Sequence, residues 1–130
     1  MNEKKHLTCR GKAAQGWVEG YYLPKHPTVP EIGPAIYGFE GDKVFCYPVD
    51  PKTVCACSGL MAKDERVLFD QDIILNREKK LAGVVEYAEE DGMFALMTKD
   101  GKQINFFEEP SSNFEIIGNA IDNPGFLEIV

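Results

Sequence analysis

The chain has 130 residues, of which 44% are hydrophobic and 27% are charged, so it can bury a core and is not disordered by composition. Its net charge of −7 excludes a uniformly basic surface of the kind that coats nucleic acid. No apolar run approaches the ~18 residues of a membrane span, and residues 1–6 lack the apolar segment of a secretory signal. We therefore expect a cytoplasmic protein that makes no membrane contact.

The acidic residues are unevenly distributed along the chain. Residues 83–130 contain ten acids and two bases, whereas residues 1–82 contain eleven acids and twelve bases. The ordinary interpretation is a solvated acidic surface that favours solubility. The alternative is an acidic patch that docks a basic partner or mimics nucleic acid.

Aromatic and β-branched residues predict several strands in the N-terminal half. The predicted strands are 4–10, 16–23, 35–39 and 44–47, with 11–15 as a link and the proline-rich residues 24–34 as a loop. Gly20 is a candidate bulge, and Gly41 supplies the positive φ that a short hairpin turn at residues 40–43 needs. Asp50 followed by Pro51 resembles the N-cap of a short helical turn.

The C-terminal half is organised around a strand pair at residues 72–75 and 83–87, joined by the charged link 76–82. Turns that contain Gly92 and Gly101 separate further apolar runs. These runs predict strands at 67–69, 93–97, 103–107 and 114–118, and Asn123-Pro124 predicts a last helical turn.

Short strands separated by turn signals every roughly 8–12 residues are typical of a small barrel or sandwich. We predict an all-β protein with little helix, in which residues 4–57 form an N-terminal β lobe and residues 67–119 form a small barrel. The whole chain, 1–130, is expected to be one domain with lobes at 1–60 and 61–130.

Seven short segments follow one another at characteristic spacing. They are GWVEGY (16–21), VDPKTV (49–54), SGL (58–60), DQDII (70–74), GVVEY (83–87), FEIIGN (114–119) and DNP (122–124). In order and spacing these segments resemble the phage-encoded YopX protein family over almost the whole chain. The resemblance implies a β-rich fold with a small Src-homology-type barrel, a phage or prophage origin in a bacterial host cell, and self-association. It implies no activity, so no catalytic, cofactor or metal residue is carried over.

The chain departs from the family pattern at two sites. Residues 56–59, ACSG, stand where the family commonly has a Gln-Tyr-Thr-Gly-type segment, and this change removes an aromatic contact residue. Gln71 stands where the family commonly has glycine. Because glutamine tolerates positive φ poorly, Gln71 argues against a left-handed turn at this site.

The four cysteines are expected to be free thiols in the cytoplasm. Cys46, Cys55 and Cys57, with Cys9 or His6, could supply soft metal ligands. However, the one-residue spacer between Cys55 and Cys57 does not form a zinc knuckle, and buried free cysteines behave as small hydrophobic residues. We therefore predict no metal or cofactor.

Asp70 and Asp72 are two residues apart and could hold a divalent metal or act as an acid–base pair. Their ordinary role would be to shape a turn that enters a strand. His6 and His26 have no nucleophile at a recognisable spacing, and the sequence contains no phosphate-binding loop or dinucleotide motif. We expect a protein that is not an enzyme.

Aromatic and basic residues provide the candidate interaction surface, which comprises Trp17, Tyr21, Tyr22, Arg77, Lys79 and Lys80. The first hypothesis is a phage accessory protein that acts through self-assembly or through contacts with a phage or host protein. Nucleic-acid binding stays open as an alternative, through a basic groove formed by Arg77, Lys79 and Lys80 with Lys63 and Arg66. A metal-dependent hydrolase that uses Asp70 and Asp72 is the third hypothesis.

Overall fold

The structure is a computed structural model, and it describes residues 8–26 and 28–129. Within these residues the chain forms β-strands and three single-turn 3₁₀ helices. The strands are β1 (Cys9–Ala13), β2 (Gly16–Leu23), β3 (Ala35–Glu40), β4 (Lys43–Pro48), β5 (Asp50–Met61), β6 (Val67–Phe69), β7 (Asp72–Asn76), β8 (Leu81–Ala88), β9 (Met93–Met97), β10 (Gln103–Asn105) and β11 (Glu115–Asn119). The 3₁₀ helices are Pro30–Ile32, Ser111–Asn113 and Phe126–Ile129. The predicted all-β class is therefore confirmed.

The strands form two antiparallel sheets. One sheet has the order β4-β3-β2-β1-β5-β6 and the other has the order β10-β9-β8-β7-β11. Among the described strands neither sheet closes on itself, so the small Src-homology-type barrel expected in residues 67–119 is not confirmed. The chain divides into two compact units, residues 1–57 and residues 58–130.

The first unit contains two hairpins, β1–β2 and β3–β4, and three of these four strands carry aromatic residues. β1 pairs with β2 and β3 pairs with β4 in regular antiparallel register. The buried side chains of this unit are small or β-branched: Ala35, Ile36, Val49, Cys55 and Cys57. Gly20 pairs regularly with Cys9. A Cβ at Gly20 would lie 2.3 Å from the carbonyl oxygen of Tyr37, so glycine serves here to let two strands approach closely.

Two predictions for the first unit are wrong. The expected link at residues 11–15 is part of β1 as far as Ala13, because the buried Gly11 lets Ile36 and Val49 pack against the strand. The rest of the predicted first strand, residues 4–7, lies outside the described residues. The helical turn expected after Asp50 is instead the start of the 12-residue strand β5. The Thr53 side chain supports the extended form, because its Oγ1 accepts a hydrogen bond from the Lys12 N–H at 2.8 Å.

The second unit contains a hydrophobic core cluster. Its buried members are Ala62, Leu68, Ile74, Val85, Leu96 and Phe114. The predicted strand pair is confirmed as β7 and β8, with Ile74 opposite Gly83. β9 and β10 continue the predicted meander, whereas β11 returns to pair with the opposite edge of β7. This return places the C-terminal strand beside the pair on which the unit is organised.

The expected loss of a left-handed turn at Gln71 is wrong. Gln71 has φ of +76°, so the turn is kept without glycine. Its backbone N–H donates to the carbonyl oxygen of Val85 at 2.7 Å, and its own carbonyl oxygen accepts from the Ala120 N–H at 2.8 Å. These two hydrogen bonds fix the backbone conformation and offset the steric cost of a left-handed residue with a side chain.

Candidate interaction surface

β4 lies at the edge of its sheet in the strand order of the described residues. Its sequence is KVFCYP, and five of its six residues are exposed. An apolar edge strand is unusual, because natural proteins commonly protect such edges with charges, proline or bulges. β4 has Lys43 and Pro48 only at its two ends, and the apolar run Val44–Tyr47 lies between them.

The hairpin that carries β4 fixes the direction of its backbone groups. Gly41, at φ +66°, closes a two-residue turn between the paired residues Glu40 and Lys43, as predicted from the sequence. Antiparallel pairs alternate between hydrogen-bonded and non-hydrogen-bonded, starting from the bonded pair that closes such a turn. The Val49 N–H donates to the Pro34 carbonyl oxygen at 3.2 Å, which agrees with this alternation at the far end of the ladder.

It follows that Val44 and Cys46 occupy non-hydrogen-bonded pairs with β3, opposite Phe39 and Tyr37. Their N–H and C=O groups therefore point away from β3, along the outer edge of the sheet. Pro48 occupies the next non-hydrogen-bonded pair, so its missing N–H costs the ladder nothing. The outer edge of β4 thus offers two complete sets of backbone donors and acceptors.

Apolar side chains are exposed or half-exposed on both faces of this hairpin. Phe39 is 73% exposed and its cross-strand neighbour Val44 is 67% exposed. On the other face the rings of Phe45 and Tyr47 stack with centroids 5.2 Å apart. The Phe45 ring lies across Gly38, where a Cβ would come within 2.3 Å of the ring. We name Phe39, Val44, Phe45, Cys46 and Tyr47 the β4 edge surface.

Of the predicted interaction residues, Tyr21 lies beside this surface. A groove of about 380 Å³ is lined by Glu19, Gly20, Tyr21, Gly38, Phe39 and Phe45. Gly20 and Gly38 form its floor because neither carries a side chain. Tyr22, the next residue along β2, is half-buried and pairs with Ile36 of β3.

Trp17, the third predicted aromatic residue, is in the β1–β2 hairpin opposite Lys12. The Arg10 guanidinium lies 4.8 Å from the ring centroid and the Lys12 ammonium lies 5.7 Å from it. Both distances are within the range of cation–π attraction. Trp17 is therefore engaged with basic side chains of its own unit.

The three predicted basic residues are all in the second unit, between β7 and β8. Arg77 forms a two-point ion pair with Glu115, with Nε–Oε2 and Nη2–Oε1 distances of 2.8 and 3.1 Å. This contact raises the pKa of Arg77 and lowers that of Glu115. Lys79 contacts Glu109 at 2.9 Å. Lys80 has φ of +54° and lines, with Arg77, a groove of about 620 Å³.

The other two bases predicted for a nucleic-acid groove are placed differently. Arg66 forms an ion pair with Asp64 at 2.6 Å. Lys63 lines a small cleft of about 210 Å³ together with Arg77. Neither Lys63 nor Arg66 lines the larger groove that contains Lys80.

An exposed apolar patch in the second unit was missed by the sequence analysis. Tyr87, Met93 and the 74%-exposed Phe107 lie along a groove of about 610 Å³. Residues 103–107 were predicted as one strand, but β10 ends at Asn105. Phe106 packs against Phe114 with centroids 6.1 Å apart. Successive side chains of an extended chain point to opposite sides, so an inward Phe106 predicts an outward Phe107.

The predicted carboxylate pair has a structural role at Asp72. Asp72 is 1% exposed and its Oδ2 accepts a hydrogen bond from the Phe69 N–H at 2.8 Å. Asp70 is half-buried and its Oδ1 accepts from the Gln71 side-chain amide at 3.3 Å. Within residues 8–26 and 28–129, no group of three or more His, Cys, Asp and Glu side chains is arranged to hold a metal ion.

The cysteines are dispersed as free thiols. Cys55 and Cys57 are buried, Cys9 is half-buried and Cys46 is exposed. The Cys55 thiol donates to the Thr53 carbonyl oxygen at 3.3 Å. Burial raises the pKa of the Cys9 thiol, and the neighbouring Cys57 raises it further. A raised pKa keeps this thiol protonated and therefore poorly nucleophilic.

In the part of the chain that the structure describes, no helix has the length and apolar character needed to cross a membrane. A comparison with curated proteins found no match. A comparison with solved structures found the X-ray crystal structure of protein yopX from Bacillus subtilis, with a TM-score of 0.51 and 17% sequence identity. The match covers 92% of this chain and 96% of that chain, so the two share a fold. The family model described as YopX protein matches residues 30–128, and the chain therefore belongs to the YopX family.

Proposed function

We propose that the protein is a phage or prophage accessory protein that acts through protein contacts and not through catalysis, and that it self-associates through the β4 edge surface. The single observation that supports this proposal is the exposed apolar edge strand with outward-pointing backbone groups at Val44 and Cys46. Such a strand is a template for pairing with another strand. The resemblance to a phage-encoded family supplies the proposed origin.

The backbone geometry selects one register for self-pairing. Hydrogen-bonded pairs between two antiparallel copies of β4 must join outward-facing residues, and the register that uses the donors and acceptors of both outward residues pairs Val44 with Cys46 of the second copy and Cys46 with Val44. This arrangement satisfies the outward N–H and C=O groups of all four residues. The two-fold axis then passes between the two copies of Phe45, and each Tyr47 lies opposite a Lys43.

Apolar burial adds to these hydrogen bonds. Phe39 and Val44 lie on one face of the hairpin, and Phe45 and Tyr47 lie on the other. Pairing at the edge brings a second set of the same side chains beside each face. Aromatic residues such as Phe39, Phe45 and Tyr47 are enriched in protein interfaces relative to the rest of the surface.

The role of Asp72 supports a function without catalysis. Of the predicted acid pair, Asp72 is the buried member, and its carboxylate closes a backbone turn. An acid–base residue must reach a substrate. The burial and the hydrogen bond of Asp72 therefore favour a structural role over a catalytic one.

Light scattering coupled to size-exclusion chromatography tests the proposal. We expect a concentration-dependent mass above the 14.5 kDa of one chain. Cys46→Pro removes the outward N–H without touching the hydrogen bonds to β3, so this variant should fold and remain at the mass of one chain. Circular dichroism of the variant confirms that the sheet is intact.

Met93→Lys is the matched control, because it removes exposed apolar area in the second unit and leaves the β4 edge unchanged. This variant should assemble like the unmodified protein. A mass of one chain for the unmodified protein at all concentrations, or an unchanged assembly of a folded Cys46→Pro variant, would contradict the proposal.

A further inference from the structure

We propose that the groove beside Lys80 in the second unit binds an acidic, extended peptide segment of a partner protein, with an aliphatic side chain of that segment on its floor. This site goes beyond the proposed self-association and does not depend on it. We name it the basic groove. Its basic residues are Arg77, Lys80, Lys99 and Lys102, and most of its other lining residues are aliphatic.

Two turns and a short helix form the basic groove. The turn between β7 and β8 contributes Arg77 and Lys80, and the turn between β9 and β10 contributes Thr98–Lys102. The second turn is rigid: the Thr98 N–H donates to the Lys102 carbonyl oxygen at 2.9 Å, and the Lys102 N–H donates to the Thr98 Oγ1 at 3.0 Å. The rim is therefore fixed before any ligand arrives.

The charge of the groove is opposite to that of the chain around it. Residues 83–130 contain ten acids and only two bases, and both bases, Lys99 and Lys102, line this groove. Arg77 and Lys80 add two more of the 14 basic residues of the chain. Asp100 is the one acid in the lining, and it accepts a hydrogen bond from the Thr98 hydroxyl. A concave site lined by one sign of charge attracts ligands of the opposite sign.

Arg77 has a different role from the lysines of the groove. Arg77 already forms its two-point contact with Glu115, which holds the guanidinium at the rim. Lys80 and Lys102 have flexible ammonium groups that can each meet a carboxylate. Lys80 stands in the left-handed region, at φ +54°, where glycine or asparagine is the usual residue.

The floor of the groove selects the class of ligand. Its apolar lining residues are Leu75, Leu81, Ala82, Ile104 and Leu127, of which Leu81 and Ile104 also pack against the core cluster. All five side chains are aliphatic, whereas proteins that bind single-stranded nucleic acid stack the bases on aromatic rings. An aliphatic floor beneath a basic rim instead complements a peptide in which leucine-like side chains alternate with glutamate or aspartate. The volume of about 620 Å³ is within the ~300–1,000 Å³ of ordinary ligand clefts.

Fluorescence polarisation with a defined probe tests this site. The probe is a fluorescein-labelled peptide of alternating glutamate and leucine, and the reference peptide has lysine in place of glutamate. We expect saturable binding of the acidic peptide only, weakened by added salt. The double variant Lys80→Glu with Lys102→Glu should bind about tenfold more weakly or worse. Leu127→Ser should weaken binding through the apolar part of the groove without a change in charge.

Lys25→Glu with Lys52→Glu is the matched control, because it changes the net charge equally with two exposed lysines of the first unit. This control should bind the acidic peptide with a Kd within about twofold of that of the unmodified protein. No binding of the acidic peptide, equal binding by the Lys80 and Lys102 double variant, or tighter lysine-dependent binding of a labelled single-stranded DNA would each overturn the proposal. The mass of the assembly is measured separately, so failure here leaves the test of self-association unaffected.

Discussion

The buried carboxylate of Asp72 accepts a hydrogen bond from the backbone N–H of Phe69, with 2.8 Å between Oδ2 and N. This contact spans the turn that connects β6 and β7. The left-handed Gln71 lies within the same turn. Asp72, which the sequence suggested as one half of an acid pair, therefore has a structural role at the start of β7.

Removal of the Asp72 carboxylate should destabilise the second unit. Asp72→Ala leaves the buried Phe69 N–H without this acceptor, so we expect a loss of about 1–3 kcal/mol in the free energy of unfolding. Asp72→Asn retains an acceptor oxygen and should lose less. Urea unfolding of the two variants measures the difference. Equal stability of Asp72→Ala and the unmodified protein would show that the contact contributes nothing.

Glycine at position 71 should increase stability. A left-handed residue with a side chain costs about 1–2 kcal/mol, whereas glycine costs about 0.5–1 kcal/mol in backbone entropy. We therefore expect Gln71→Gly to raise the free energy of unfolding by roughly 0.5–1 kcal/mol. Gln71→Ala is the control, because alanine keeps the Cβ and should give no gain. A gain for alanine equal to that for glycine would contradict this explanation.

A side chain at Gly83 should disrupt the packing of β8 against β9. A Cβ at this position would lie 2.6 Å from both the Leu96 Cδ1 and the Met97 carbonyl oxygen. The backbone oxygen cannot move as a side chain can, so we expect Gly83→Ala to cost about 1–3 kcal/mol. Ser112→Ala, at an exposed position, should stay within about 0.5 kcal/mol in the same thermal or urea unfolding experiment.

The Thr98 hydroxyl should control the acidity of Asp100. Its hydrogen bond is the main reason that the pKa of Asp100 is lowered. A lowered pKa means that this contact stabilises the fold above the ordinary pKa of aspartate and that the effect is lost as pH falls through the lowered value. Thr98→Val should raise the pKa of Asp100 towards its ordinary value and leave that of Glu115 unchanged. Carboxyl NMR titration measures both groups. An unchanged Asp100 would refute the assignment.

Local patterns were sufficient to predict the hairpins. Alternating apolar residues around Gly41-Asp42 predicted β3 and β4, and the β-branched runs on either side of residues 76–82 predicted β7 and β8. In each case the two strands and their turn are adjacent in sequence. The turn chemistry then determines the register with no contribution from the rest of the chain.

Contacts distant in sequence account for what the sequence did not predict. Asp50-Pro51 resembled a helix start, but pairing with β1 and the Thr53 hydrogen bond extend the backbone into β5. The left-handed form of Gln71 depends on hydrogen bonds to Val85 and Ala120, which local preference does not include. Pairing of β11 with β7 likewise joins segments about 40 residues apart, and no local signal specifies it.

For the candidate sites too, the local sequence predicted single residues, whereas the fold determines which residues lie together. Tyr21 was predicted as an interaction residue because aromatic residues are common in interfaces, and it lies beside the β4 edge surface. The edge itself was not predicted, because the order of strands in a sheet is a property of the whole fold. Lys80 was predicted as a basic residue of interest. Its neighbours Lys99 and Lys102 come from a different turn, so only the folded chain brings the three together.

Disulfide trapping at the edge of β4 tests self-association most directly. In the proposed register the two copies of Phe45 face each other in a non-hydrogen-bonded pair, with Cα atoms about 4.5 Å apart, which is within the range for a disulfide. The variant Phe45→Cys with Cys46→Ser should therefore form a covalent dimer under mild oxidation, at the concentration where the unmodified protein assembles. Phe39→Cys with Cys46→Ser places the thiol on β3, one strand further from the edge, and this variant should form little covalent dimer. Equal trapping at both positions, or none at position 45 in a protein that assembles, would contradict self-association through β4.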